Sequence, residues 1–298
     1  MKQVDGLLEV IATPIGNLGD LSPRALESLR AADLVAAEDT RHTGQLLARL
    51  GLQKTLISLH SHNETRRTGE LLQSLRQGSR VALVSDAGTP LLSDPGYELV
   101  REATAAGFTV RSIPGPTAIT TALAVSGLPC DRFCFEGFLP AREAERRQRL
   151  DALRTESRSM VFFESPHRLQ RSLADMAQVL GEDRQAVVAR ELTKLHESIY
   201  RGSLTELCRL SADEPMMLRG EITLVVAGAT PSSTAGNADA MEAGDAALLD
   251  RCLQAALAHL PASKAAAIAT AVTGVSRATA YARAVELKDL SGGLRENP

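Results

Sequence analysis

The stretch VALVSDAGTP, residues 81–90, and its counterpart TVRSIPGPTA, residues 109–118, decide how this chain folds. Each sets a short aliphatic, β-branched run directly against a turn dense in Gly and Pro. Such runs read as strands, and Gly and Pro at these densities fix tight turns that let main-chain N–H and C=O groups approach a ligand closely. Two such loops at strand ends in one domain point to a small-molecule cleft.

Working outward, strand-like runs recur at residues 7–12, 34–37, 55–59, 81–85 and 108–113, with helix-like stretches at 23–31, 45–50, 65–77 and 97–106. Strand and helix alternate, which predicts a mainly parallel sheet covered by helices, with ligand loops at the carboxyl ends of the strands. The alternation resumes after the proline-rich turn, with strands expected at 132–136, 160–164, 186–190, 199–202 and 222–227. The fold class read from this is α/β: an N-terminal α/β domain over 1–116 and a second over 117–229. Residues 230–244, TPSSTAGNADAMEAG, read as a linker poor in large apolar side chains, and 245–298 as a small helical tail.

Composition narrows the function. The 298 residues suffice for two domains with their own cores. Only 3% are aromatic and none is Trp, which argues against stacking as the main mode of ligand binding. The net charge of −3 means that any nucleic-acid contact must come from local basic patches. Four cysteines without CxxC spacing predict reduced thiols, and no metal is expected, because His60 and His62 lack a third ligand of suitable geometry. With no signal-like start and no run of 18 apolar residues, the chain reads as cytoplasmic and soluble, with no membrane association.

The first strand ends in ATPIGNLGD, residues 12–20, which lacks GxGxxG and makes a Rossmann oxidoreductase a distant reading. Taken together, ATPIGNLGDLSPRAL, AEDTRHTGQLL, SDAGTPLLSDPG, IPGPTA, FFESPHR, RELTKLHE and RGEITLVVAG resemble, in this order, the successive motifs of the tetrapyrrole-methylase-like superfamily of S-adenosylmethionine enzymes. The resemblance spans residues 7 to about 228 and is strongest to the branch that methylates a cytidine ribose 2′-hydroxyl in 16S rRNA. It implies a cleft between two α/β domains that holds S-adenosyl-L-methionine largely by backbone atoms. By motif, the cofactor positions are Gly16, Ala87, Gly88, Thr89, Leu92, Thr117, Ala118, Glu164 and Leu192. Where many relatives carry Gly-Asp-Pro, this chain has Gly88-Thr89-Pro90, which leaves Asp86 or Glu164 to supply negative charge near the cofactor.

A ribose hydroxyl is a poor nucleophile at neutral pH, so some group must take its proton. Charged clusters stand at strand ends: Glu38, Asp39 and Arg41; His60, His62, Asn63 and Glu64; Glu164, His167 and Arg168; Arg190, Glu191 and Lys194. Asp39 and Glu64 are the first expectations for proton acceptance or substrate positioning, with Lys194 orienting or deprotonating the ribose if burial lowers its pKa. The plainer readings are that Asp39 caps the following helix and that Glu64 and Arg190 make ordinary ion pairs.

For RNA, Arg142, Arg146 and Arg149 fall at i, i+4 and i+7 of a helix-like segment, and their guanidinium groups suit phosphate. Arg41 and Arg168 are further candidates. The tail reads as two short helices around Val272-Thr273-Gly274, with Ser276 as N-cap and Lys264, Arg277 and Arg283 at the surface. That helix-turn-helix-like outline resembles the C-terminal domain of the rRNA-methylating branch. An Ala-rich helical hairpin also suits packing or dimerisation.

What the resemblance implies is 2′-O-methylation of a decoding-centre cytidine, cytidine 1402, of 16S rRNA within the small ribosomal subunit, by a homodimer. The competing readings are a methylase of a tetrapyrrole or other non-RNA substrate, and a non-catalytic RNA-binding ribosome-assembly factor.

Overall fold

The aliphatic runs of the first half form strands β1 (Leu7–Ile11), β2 (Leu34–Ala37), β3 (Thr55–Ser58), β4 (Arg80–Val84) and β5 (Thr109–Ile113). All pair in parallel, in the order β3-β2-β4-β1-β5. The central strands β2, β4 and β1 are buried on both faces, which is why their runs are almost continuously apolar, whereas the edge strands β3 and β5 are more exposed. Helices α1 (Pro23–Ala31) and α2 (Thr40–Arg49) cover one face, where Ala25, Leu29 and Leu47 meet Ile11, Val35 and Val84. Helices α3 (Glu64–Arg76) and α4 (Tyr97–Ala105) cover the other, where Leu71, Leu75 and Leu99 meet Leu8 and Leu83. Each fully buried leucine contributes about 1.5–3 kcal/mol.

The sequence of α1 explains its limits. Ser22 caps it by accepting from Ala25 N–H at 3.1 Å, and Pro23 at its first position gives up an N–H that would have no partner there. Helix α2 starts five residues earlier than the apolar pattern suggests. Its first turn, Thr40-Arg41-His42-Thr43, is polar, and the Asp39 cap rather than hydrophobic periodicity sets its start.

The second sheet contains β6 (Phe133–Phe138), β7 (Ser159–Glu164), β8 (Gln185–Arg190), β9 (Ser198–Ser203) and β10 (Ile222–Val226), in the order β6-β7-β10-β8-β9. Only β6 and β7 are parallel; β10 inserts between β7 and β8 antiparallel to both, and β9 returns antiparallel to β8. Helix α5 (Ala118–Ser126) lies on one face, with Ile119, Ala122 and Leu123 against Val161, Val187 and Val225. Helices α6 (Glu143–Ala152), α7 (Leu169–Leu180) and α8 (Leu204–Asp213) lie on the other, around Met160, Phe162 and Leu224. A capping box starts α8, with Ser203 accepting from Glu206 N–H and the Glu206 carboxylate accepting from Ser203 N–H. Ile15 and Leu92, from loops of the first sheet, join the α5-face core of the second.

This computed structural model describes residues 6–229 and 238–292, with side chains for 6–229 and 248–288. The chain divides into two units, residues 1–229 and 230–298. The second holds α9 (Ala238–Leu257), α10 (Ala262–Thr273) and α11 (Arg277–Gly292) around a core of Leu249, Leu253, Ala265, Ala269, Ala280 and Ala284. Gly274 ends α10 at φ +75°, and Ser276 accepts from Thr279 N–H at the start of α11. Of the stretch expected as a linker, 230–237 lie outside the described residues, and 238–244 belong to α9. Among the described residues no helix is long and apolar enough to cross a membrane.

Candidate active site

Three loops from the carboxyl ends of the first sheet, after β1, β4 and β5, gather beside the β8–β9 loop of the second. The β1 loop pairs with the β4 loop through Thr13 N–H to Gly88 O at 2.9 Å and Gly88 N–H to Thr13 O at 3.1 Å. Thr89 Oγ1 donates to Pro116 O at 3.3 Å, tying the β4 loop to the β5 loop, and Thr117 caps α5. A Cβ on Gly16 would lie 2.4 Å from Lys194 Cγ and 3.1 Å from Leu192 O, so only glycine lets the β1 loop approach the β8–β9 loop this closely. Gly88 holds φ +81° with Ile15 Cγ2 at 3.3 Å from where its Cβ would be.

Backbone strain concentrates in the same two loops. Among the described residues the non-glycine positions with positive φ are Leu91, Ser93, Glu191 and Thr193, which flank Leu92 and Leu192. Left-handed backbone at such residues costs about 1–3 kcal/mol each and collects at ligand clamps. Thr193 Oγ1 is buried with no hydrogen-bond partner, and it lies 3.0 Å from the Cβ position that Gly16 lacks. A cradle that excludes a Cβ, shows main-chain carbonyls and keeps an unused buried hydroxyl fits a ligand bearing an amino-acid end, a ribose and a sulfonium.

The structure brings Gly16, Ala87, Gly88, Thr89, Leu92, Thr117, Ala118 and Leu192 onto these loops and the packing between them. Glu164 is different. Its fully buried carboxylate accepts from Ser165 N–H at 2.8 Å and from Ser172 Oγ, and lies 3.4 Å from Arg168 Nε. Those bonds commit it to holding the β7 end. Of the two groups considered as a source of negative charge, Asp86 is the one adjoining the Gly88 turn, and its Oδ1 accepts from Asp39 N–H at 3.0 Å.

The three expected proton carriers have other partners. Asp39 caps α2 through Arg41 N–H at 2.8 Å and grips the exposed Arg41 guanidinium with both oxygens. The Arg41 hydrogen bonds hold its carboxyl well below the usual range, which makes it a poor base. Glu64 Oε1 accepts from Gly96 N–H at 3.0 Å and Glu98 N–H at 2.9 Å. Gly96 has no side chain to cap α4, so Glu64 does this from the start of α3. Lys194 Nζ binds Glu191 at 2.8 Å and Glu221 at 3.1 Å. Partial burial pulls its pKa down, but the two carboxylates outweigh that and leave it raised, so the expected lowering does not occur.

A better-placed pair joins Glu38, one of the candidates in the first cluster, to Asp94, which the sequence reading did not single out. Glu38 follows β2 and lies near Asp86, which follows β4, with Asp94 from the same β4 loop beside them. Burial, then the nearby charges of Asp94 and Asp86, push Glu38 above 4.5, and burial and Asp86 push Asp94 above 3.8. Neither carboxylate is paired with a cation among the described residues. Glu38 stood in a motif already singled out; Asp94 looked like part of an ordinary turn, SDPG.

The expected RNA contacts also sort themselves. Arg146 is 4% exposed, clamps Asp175 at 2.6 Å and donates to Pro140 O and Ala141 O, so it is not on an outward stripe with Arg142 and Arg149. Leu150, one turn on and also buried, marks that face as inward. Arg142 sits exposed before α6, paired with Glu145, and Arg149 pairs with Glu136. Arg168 donates to Leu139 O and Pro140 O, which ties it to the β6–α6 connection. Lys264 and Arg277 are exposed, whereas Arg283 clamps Asp250 with two bonds.

Comparison with known proteins agrees with this architecture. The family described as "Tetrapyrrole (Corrin/Porphyrin) Methylases" matches residues 8–208, and the "RsmI C-terminal HTH domain" matches 242–288. The protein named "Ribosomal RNA small subunit methyltransferase I" is 47% identical over 281 residues in Escherichia coli O157:H7, covering 94% of this chain and 95% of that one. Its Pseudomonas aeruginosa namesake is 48% identical over 283 residues, covering 94% and 97%. Among solved structures, the methyltransferase CobJ superposes with a TM-score of 0.58 at 22% identity, covering 76% of this chain and 95% of that one. The chain belongs to the tetrapyrrole methylase family and, within it, to the ribosomal RNA small subunit methyltransferase I group.

Proposed function

We propose that this protein transfers a methyl group from S-adenosyl-L-methionine to a ribose 2′-hydroxyl of a cytidine in 16S rRNA, cytidine 1402 of the decoding centre. Membership in the rRNA small subunit methyltransferase I group supports rRNA as the substrate, and the glycine-lined, strained cradle between the two sheets carries the cofactor reading. The donor supplies an electrophilic methyl on a positively charged sulfur. Gly16, Gly88 and the Leu192 loop would hold it by backbone atoms, and the free Thr193 hydroxyl would bond its polar end.

The chain's own task is alignment and proton removal. Holding the two reacting atoms about 3–3.5 Å apart supplies much of the rate in such an in-line displacement. The Glu38–Asp94 pair would take the proton that the hydroxyl gives up as its oxygen receives the methyl group from the sulfonium sulfur. A carboxylate held above its ordinary pKa by burial and like charge is a better acceptor than Asp39, held low by arginine. The exposed Lys264 and Arg277 of the helical unit would contact RNA phosphates, and the working form would be a homodimer.

Calorimetry with S-adenosylmethionine, followed by single-turnover transfer to small ribosomal subunits from cells lacking this chain, tests the reading. Saturable binding and ribose methylation are expected. Binding without transfer to RNA would favour a non-RNA substrate, and no binding would favour an assembly factor.

A further inference from the structure

Strand β6 carries an irregularity that the cofactor reading does not use. Its register against β7 runs Phe135 to Val161, then Gly137 to Phe162 and Phe138 to Phe163, so Glu136 is an extra residue. In a regular strand, side chains three apart point to opposite faces. The bulge, with Gly137 at φ +66°, instead puts Phe135 and Phe138 on the same side, flanking the Phe163 ring. Their ring centroids lie 4.9 and 5.6 Å from that of Phe163, both edge-to-face. Bulges beside active sites commonly re-aim a side chain in this way.

The re-aimed ring stands at the cleft. The Cβ position of Gly137 is 3.3 Å from Ser93 Oγ, in the strained loop that carries Leu92. Phe138 itself is 54% exposed, although the chain has only six Phe and no Trp. The edge-to-face contact with Phe163 supports the ring while leaving much of Phe138 open.

We propose that Phe138 is the platform on which the base of the target nucleotide stacks as its ribose enters the cleft. This rests on the RNA reading above. Unpaired bases are commonly held on an aromatic face, and the loss of one such contact on alanine substitution corresponds to roughly 5- to 150-fold in binding. Phe163 positions the platform and does not touch the base.

The test compares Phe138→Leu, Phe138→Tyr and Phe138→Trp with wild type. The readouts are kcat/KM on unmethylated small ribosomal subunits and calorimetric affinity for S-adenosylmethionine. Leu keeps apolar contact with Phe163 but has no aromatic face. The expected result is a loss of about 10-fold or more for Leu, carried mainly in KM for the subunit. Tyr and Trp should stay within about threefold, with cofactor affinity unchanged in all. A Leu variant equal to wild type overturns the proposal. So does an equal loss in all three, or a parallel loss of cofactor affinity, since either would mean a packing role. Wild type that binds cofactor but methylates no subunit would overturn the RNA reading first, and this inference with it.

Discussion

The ends of β2 and β4 and the end of β8 both crowd charge around the same cleft, but in opposite ways. At the first, Glu38, Asp86 and Asp94 stand together, and two of them are held above their ordinary pKa. At the second, Lys194 bridges Glu191 and Glu221, and the Glu191 carboxylate also accepts Glu221 N–H at 2.9 Å. Charges that are paired build shape; here they hold the turn with left-handed Glu191 and Thr193 against Gly16. Carboxylates left short of partners keep a capacity for protons.

The largest effect should come from the first cluster. Glu38→Gln and Asp94→Asn are each expected to lower kcat by roughly 10²–10⁴-fold, read by single turnover, with calorimetric cofactor affinity nearly intact. The sign of the linkage also predicts a gain in stability. A carboxylate raised on folding costs stability as pH rises through its folded value, so at neutral pH Glu38→Gln should melt higher than wild type while turning over more slowly. In wild type the acid limb of kcat against pH should fall above 4.5, the ordinary glutamate value. Equal kcat in the Gln variant would remove the distinction between the two clusters.

A buried ion pair outside both regions calibrates the comparison. Arg146→Ala strands Asp175, which is only partly served by Arg147 at 2.8 Å, and should cost about 3–5 kcal/mol in denaturant unfolding. KM for the ribosomal subunit should not change, since this arginine does not face RNA. Gly16→Ala should weaken cofactor binding about tenfold, because the Cβ must displace Lys194 Cγ from 2.4 Å and crowd Leu192 O. Smallest is Glu191→Gln, which weakens the pin on the strained turn. About 1 kcal/mol of stability and a few-fold rise in KM for cofactor are expected.

Much of this was legible in the sequence. The ten strands could be read because short apolar runs recur between turn signals, and Ser22 and Ser276 announced their helices. Pairing direction was not legible: β8 and β10 are as apolar as β1 and β4, yet they run antiparallel. Clusters found by composition were at the right strand ends, but roles inside them depend on partners distant in sequence. Glu64 meets Gly96, and Arg146 meets Asp175. The inward face of Arg146 did leave a trace, in Leu150 and Leu153 at i+4 and i+7. The β6 bulge left only a glycine between phenylalanines, which says little until the register is known.

The most direct measurement is mass spectrometry of 16S rRNA nucleosides from cells that have this chain, lack it, or carry only its Glu38→Gln form. The account predicts one ribose-methylated cytidine present with the wild-type chain, absent without it, and strongly reduced with the Gln form. Identical ribose methylation in all three would contradict it.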